Sequence, residues 1–174
     1  MSPLPLLSLL VFTPWAGAVL LALARGLSPA AARPLALLFS FSTLALGLVA
    51  VGGFDPAHTL PQFVERHAWI AALNVHYHLG IDGLSLVLVL LTGIVTPAAL
   101  LASWRTAANP RLFGALFLLL QGAALGVFLA LDFFHWFVFW ELSLVPAFFL
   151  IKLWGGPGAT RAAYQFVIYT IGGS

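Results

Sequence analysis

Five runs of about twenty mostly apolar residues occupy this 174-residue chain, and each is long enough to cross a bilayer as a helix. They extend from Leu4 to Ala24, Pro34 to Val51, Leu84 to Trp104, Leu112 to Leu131 and Phe133 to Ile151. Hydrocarbon offers a backbone no hydrogen-bond partners, so such spans must close their bonds internally, as helices. A composition of 62% hydrophobic and 7% charged residues, with a mean hydropathy of +1.07, excludes a soluble globular domain. The expected fold is an all-α, polytopic transmembrane helical bundle of five complete helices plus a truncated sixth. That last run begins after Arg161 and reaches only Ser174, covering about 20 Å at 1.5 Å per residue. It reads as part of a longer chain; a short re-entrant or interfacial segment is the alternative.

The organisation expected along the chain has three parts. Residues 1–52 carry helices one and two, 53–82 form a loop outside the membrane, and 83–174 begin a module of helices three to five and part of six. In the loop, the alternation in Leu73-Asn74-Val75-His76-Tyr77-His78-Leu79 suits a strand or hairpin lying on the membrane surface. The first apolar run is far longer than the core of a signal peptide, although Ala22-Leu23-Ala24 resembles a cleavage site, and is read as a retained helix.

Charge sets the orientation. Arg25 and Arg33, Arg105 and Arg111, and Lys152 and Arg161 fall in loops on one side; Asp55, Glu65, Asp82 and Asp132 fall on the other, with Arg66. The positive-inside rule then puts the basic loops in the cytoplasm and the N-terminus outside. A bacterial inner membrane is expected from these loop charges and the lack of a transit peptide. The bases are too sparse for a nucleic-acid patch, so nucleic acid is not a partner. With no cysteine the chain has no thiolate to hold a zinc ion or an iron–sulfur cluster.

One carboxyl group, Glu141, stands inside the fifth run, between Phe137-Val138-Phe139-Trp140 and Leu142-Ser143-Leu144-Val145-Pro146. An acid at bilayer depth faces a bundle interior, a cation or a water-filled path, and by default marks a transport site. Its apolar neighbours, at about −0.3 to −0.6 kcal/mol each, outweigh the roughly +3 kcal/mol of a central acid, so the helix inserts with the carboxyl in place. Desolvation disfavours the charged form of a carboxyl, which suits one in lipid to take up and release protons. Pro146 has no N–H and leaves the carbonyl of Leu142, beside Glu141, without its intrahelical donor. Proton handling is the reading adopted; a hydrogen bond that merely ties helices together is the alternative.

Lesser candidates surround it. Gln121, inside the fourth run, is expected to hydrogen-bond a neighbouring helix. His135 stands two turns before Glu141 and is expected at the membrane interface, with a relay role as the alternative. His76 and His78 alternate along the predicted strand, yet no further residue is spaced to complete a metal site. Asp82 and Asp132 each precede a membrane helix and are expected to cap it.

Taken together, Gly80-Ile81-Asp82-Gly83-Leu84-Ser85, Trp140-Glu141-Leu142-Ser143-Leu144-Val145-Pro146, Leu153-Trp154-Gly155-Gly156 and Phe166-Val167-Ile168-Tyr169-Thr170-Ile171-Gly172-Gly173-Ser174 form a specific set. In this order they resemble the M subunit (chain 4) family of proton-pumping NADH-quinone oxidoreductase, the antiporter-like subunits of respiratory complex I. The likeness runs from about Trp69 to the end; the first two helices match in hydropathy only. It implies an antiporter-like fold of about fourteen helices with inverted repeats, of which this chain is the N-terminal part. It also implies an enzyme subunit in which Glu141 serves proton translocation, paired with a lysine on a seventh helix beyond Ser174. Pro146, Leu142, Gln121 and His135 would support it. NADH, FMN, iron–sulfur clusters and quinone would belong to partner subunits, with no cofactor or redox centre in this chain. Its partners would be the other membrane-arm subunits and the lipid bilayer. A subunit of a multisubunit cation/proton antiporter or of a membrane-bound hydrogenase is one alternative, and a non-transporting membrane scaffold another.

Overall fold

The computed structural model describes residues 5–24, 26–105 and 108–174; Leu4 and Arg25 lie outside them. Among the described residues five helices are long and apolar enough to cross a membrane: α1 Leu6–Leu23, α2 Pro29–Gly53, α3 Gly83–Ala102, α4 Pro110–Leu129 and α5 Phe133–Trp154. A sixth, α6 Ala159–Gly173, packs against α5. Between α2 and α3 stands an antiparallel hairpin, β1 Gln62–Ile70 and β2 Val75–Ile81, joined by a short turn whose Asn74 adopts the left-handed region at φ 54°. The chain is an integral membrane bundle capped at one end by this hairpin.

The helix starts are chemically marked. Asp82 accepts from the Ser85 N–H at 2.7 Å while the Ser85 hydroxyl accepts from the Asp82 N–H at 2.8 Å, a reciprocal cap on α3. Asp132 caps α5 by accepting from the N–H groups of Phe134 and His135. Both caps follow the sequence reading. The start of α2 does not: Ser28 accepts from the Ala31 N–H and Pro29 opens the helix, five residues before the expected Pro34. Arg33 therefore lies within α2, not in the preceding loop. At the other end of the bundle's last crossing, α5 runs three residues past Ile151 and carries Lys152 in its final turn, where a cation suits the helix dipole.

An isolated two-stranded hairpin is marginal in water, so this one has to be held. The expected strand around 73–79 is β2; its partner β1, with Glu65 opposite Leu79 and Ala68 opposite His76, is what the structure adds. Three ties dock the pair. Glu65 accepts from the N–H groups of Leu7 (2.7 Å) and Ser8 (3.1 Å) and from the Ser8 hydroxyl, closing the open start of α1, which has no cap of its own. Asp132 accepts from the His76 N–H at 3.1 Å. The His78 carbonyl accepts from the Leu131 N–H at 2.8 Å. The hairpin thus joins the start of α1 to the connection between α4 and α5.

Two apolar cores fill the bundle. One, at the hairpin end, gathers Leu7, Leu10, Leu79, Ile81, Val89, Leu125 and Phe139; the other, at the basic end, gathers Leu21, Ala36, Leu100, Phe113 and Leu118. Small residues let the backbones approach, as membrane helices require. A Cβ on Gly126 would fall 2.3 Å from the Phe139 ring, and one on Gly122 within 2.4 Å of Trp15. Trp15 itself donates from Nε1 to the Leu119 carbonyl at 3.0 Å, locking α1 to α4.

Candidate functional site

Glu141 is the ninth residue of α5, about 12 Å along a helix about 33 Å long. Phe139 fixes which way it faces. That ring packs against Gly126 of α4, and Glu141, two residues on and about 200° further round the helix, turns away from α4. It faces α6 across an open groove of about 400 Å³, whose walls include Leu144, Val145, Phe148, Tyr164 and Val167. The carboxyl is half-buried, and its Oε1 is enclosed without a hydrogen-bond partner among the described residues.

The same face of α5 extends to the basic end. Residues 141, 145, 148 and 152 follow helical spacing, and Lys152 Nζ lies 5.4 Å from the ring centres of both Phe148 and Tyr164. Pro146 is buried in mid-helix, one turn beyond Leu142, whose carbonyl it leaves without the usual donor. The side chain of Leu142 itself is exposed. Ser143 returns its hydroxyl to the Trp140 carbonyl at 2.7 Å, a local bond that loosens the helix beside Glu141. Of the sequence-predicted residues, Glu141, Leu142 and Pro146 are thus brought together on one short stretch of α5.

Gln121 and His135 are not part of that group. Gln121 is 2% exposed in α4, the most enclosed spanning helix, and neither of its amide atoms meets a partner among the described residues. The described residues supply no partner for the interhelical hydrogen bond expected of Gln121. The face of α4 that Gln121 shares points into the α1–α4 bundle, whereas Glu141 points out of it. His135, the third residue of α5, is 4% exposed: the hairpin covers it, with the Tyr77 ring 4.7 Å on one side and the Phe139 ring 4.7 Å on another. Its Nδ1 has no partner among the described residues. Sequence spacing put both residues in the right helices but could not foretell what would cover them.

Outside the spans, titration follows local bonding. Backbone N–H groups, Ser85 first, hold the Asp82 carboxyl below the usual range, and the His76 N–H does the same for Asp132. Burial pushes the Tyr77 phenol up, which keeps it neutral in its 2.7 Å hydrogen bond with the Ser8 hydroxyl. Burial first, then Arg66, depresses the His78 imidazole. Among the described residues no three His, Asp or Glu side chains converge in a way that could hold a metal ion.

Known proteins are similar to this chain in sequence and fold. Residues 34–132 match the family described as NADH-ubiquinone oxidoreductase chain 4, amino terminus. Subunit M of F(420)H(2) dehydrogenase from Methanosarcina mazei is 43% identical over 168 residues, covering 96% of this chain and 34% of that protein. Subunit M of NADH-quinone oxidoreductase from Rhodobacter capsulatus is 40% identical over 173 residues, covering 97% and 33%. Among solved structures, a chain of respiratory complex I from Thermus thermophilus superposes with a TM-score of 0.81 at 30% identity, covering 96% of this chain and 33% of that one. A chain of the Mrp complex from Dietzia sp. gives 0.75 at 26% identity, over 96% and 18%. The chain spans about a third of the length of those two curated relatives. On the match over residues 34–132, this chain belongs to the NADH-ubiquinone oxidoreductase chain 4 family.

Proposed function

We propose that the chain forms part of a membrane-arm subunit of an NADH-quinone oxidoreductase, an enzyme complex in which Glu141 carries protons while partner subunits carry electrons. The supporting observation is the Glu141 carboxyl itself: mid-helix, facing a groove, with an enclosed oxygen that no described group claims. A charge change on a neighbouring cation alters the attraction felt by such a carboxyl, and with it the carboxyl's proton affinity. Repeated in turn, that change loads and unloads a proton. Pro146 assists by leaving a bare carbonyl at Leu142, which gives a transferred proton or its water an acceptor next to the acid. NADH, FMN, iron–sulfur clusters and quinone are assigned to the partners; for the clusters, this chain has no cysteine to ligate one. The two relatives differ in the electron donor that their names carry, so Glu141 is read as serving a step that does not depend on the donor.

In this reading the basic loops lie in the cytoplasm of a bacterial cell, and the hairpin and N-terminus lie outside its inner membrane. The fold recurs in the Mrp complex, so fold by itself does not single out one assembly. A subunit of a multisubunit cation/proton antiporter is the second reading. Co-purification of a flavin and iron–sulfur arm supports the first; cation-dependent proton flux from an assembly without them supports the second. For either, Glu141→Gln in the full-length protein should abolish proton translocation in reconstituted vesicles while leaving assembly intact. Undiminished translocation by that variant would overturn the assignment of Glu141.

A further inference from the structure

The groove that Glu141 faces has a second charged group at its basic end. A short turn over residues 155–158 reverses the chain, so α6 runs back alongside α5 and the groove passes from Glu141 by Val145 and Val167 to Phe148 and Tyr164. Lys152 stands in the last turn of α5, one turn beyond Phe148. A lysine so placed ordinarily keeps its head in water. This one turns to the groove: its Nζ lies 5.4 Å from the ring centres of Phe148 and Tyr164, both of them groove walls. The side chain is partly buried, and Asp55, Glu65, Asp82 and Asp132 all belong to the opposite, hairpin end of the bundle. Aromatic rings, not an acid, therefore seat the ammonium. From Phe148 back to Glu141 is about 10 Å along the helix.

A carboxylate in a groove attracts small metal cations as well as protons. To reach Glu141 along this groove from the basic end, a metal ion must pass the ammonium. Two like charges about 10 Å apart, at an effective dielectric constant of about 20, repel enough to disfavour that ion about tenfold, and more on closer approach. A proton has another course. Lysine, unlike arginine, can surrender an N–H proton: water in the groove takes it, and the neutral amine regains one from water at the basic end, so two charges never share the mouth. We propose that Lys152 is the specificity residue of this groove, barring monovalent metal cations from Glu141 while passing protons through its own ammonium. This role rests on Glu141 being the proton carrier.

The test uses the full-length protein in its native assembly, reconstituted into vesicles, with proton translocation followed in sodium chloride and in choline chloride of equal ionic strength. The wild type should translocate equally in both. Lys152→Gln should lose that tolerance, with sodium halving its translocation at a concentration about tenfold below any that affects the wild type. Lys152→Arg should stay tolerant, since a cation remains, yet translocate more slowly in either salt, since arginine keeps its proton. Phe148→Leu removes one of the two rings that seat the ammonium and should move tolerance part of the way; it carries the test should Lys152→Gln fail to assemble. Arg161→Gln, which removes an exposed base at the same end, should leave tolerance unchanged. A tolerant Lys152→Gln would overturn the role of Lys152 and leave that of Glu141 standing, as would an equal loss from Arg161→Gln, the mark of a diffuse field. Sodium uptake coupled to proton movement in the wild type would overturn it too. Undiminished translocation by Glu141→Gln would remove both roles together.

Discussion

Asp132 serves two elements with two oxygens. Oδ1 caps α5 through Phe134 and His135, and Oδ2 holds the His76 N–H of the hairpin. Asp132→Ala should therefore lower stability by about 1–2 kcal/mol, read as a drop in the thermal midpoint of the full-length protein. The pH dependence has a definite sign. Because hydrogen bonds depress the folded-state value, the carboxylate's contribution is complete above the unfolded value, about 3.9, and is lost as pH falls through the folded one. The gap between wild type and variant should stay constant at neutral pH and close only in acid, below about pH 4. A gap that narrowed between pH 8 and 6 would argue that a group other than Asp132 bears the load. At this scale the capping role was legible in the sequence, since an acid one residue ahead of an apolar run has one common use. The tie to His76, 56 residues away, was not.

Pro146 and Glu65 act on whole elements. Pro146 breaks the hydrogen-bond ladder of α5 at Leu142, and Pro146→Ala supplies the missing N–H. That substitution should preserve assembly and even raise the thermal midpoint, yet slow proton translocation in vesicles. A variant pumping at the wild-type rate would reduce the proline to a kink. The helices themselves could be read from the chain because hydrocarbon forces internal bonding on any apolar run of sufficient length. The boundaries were less legible: Ser28-Pro29 is a good start signal, but Ala30, Ala31 and Ala32 carry too little hydrophobicity to extend the run that begins at Pro34. Strand β1 was harder still. Its Glu65, Arg66 and His67 interrupt any alternation, and the strand exists because β2 pairs with it and Glu65 closes the start of α1.

For the molecule as a whole, orientation is the proposal most directly open to test. Residues 1–174 contain no cysteine, so a thiol introduced among them is the only one in this stretch. In intact cells a membrane-impermeant maleimide should label Ala57→Cys, in the exposed segment between α2 and β1, and spare Gly156→Cys, in the exposed α5–α6 turn, until the membrane is opened. The reverse pattern would invert the proposed orientation. Among the described residues, α4 is the most enclosed of the spanning helices and α5 the least.

The chain's sequence alone determined that it crosses a membrane, where the crossings fall and that one of them carries an acid, because the solvent imposes those rules on each segment separately. Tertiary packing alone decided that Glu141 looks towards α6, that Gln121 is sealed among α1–α4 and that His135 lies beneath the hairpin. Those outcomes depend on contacts such as Gly126 with Phe139 and Tyr77 with His135, between residues far apart in sequence, and no local pattern encodes them.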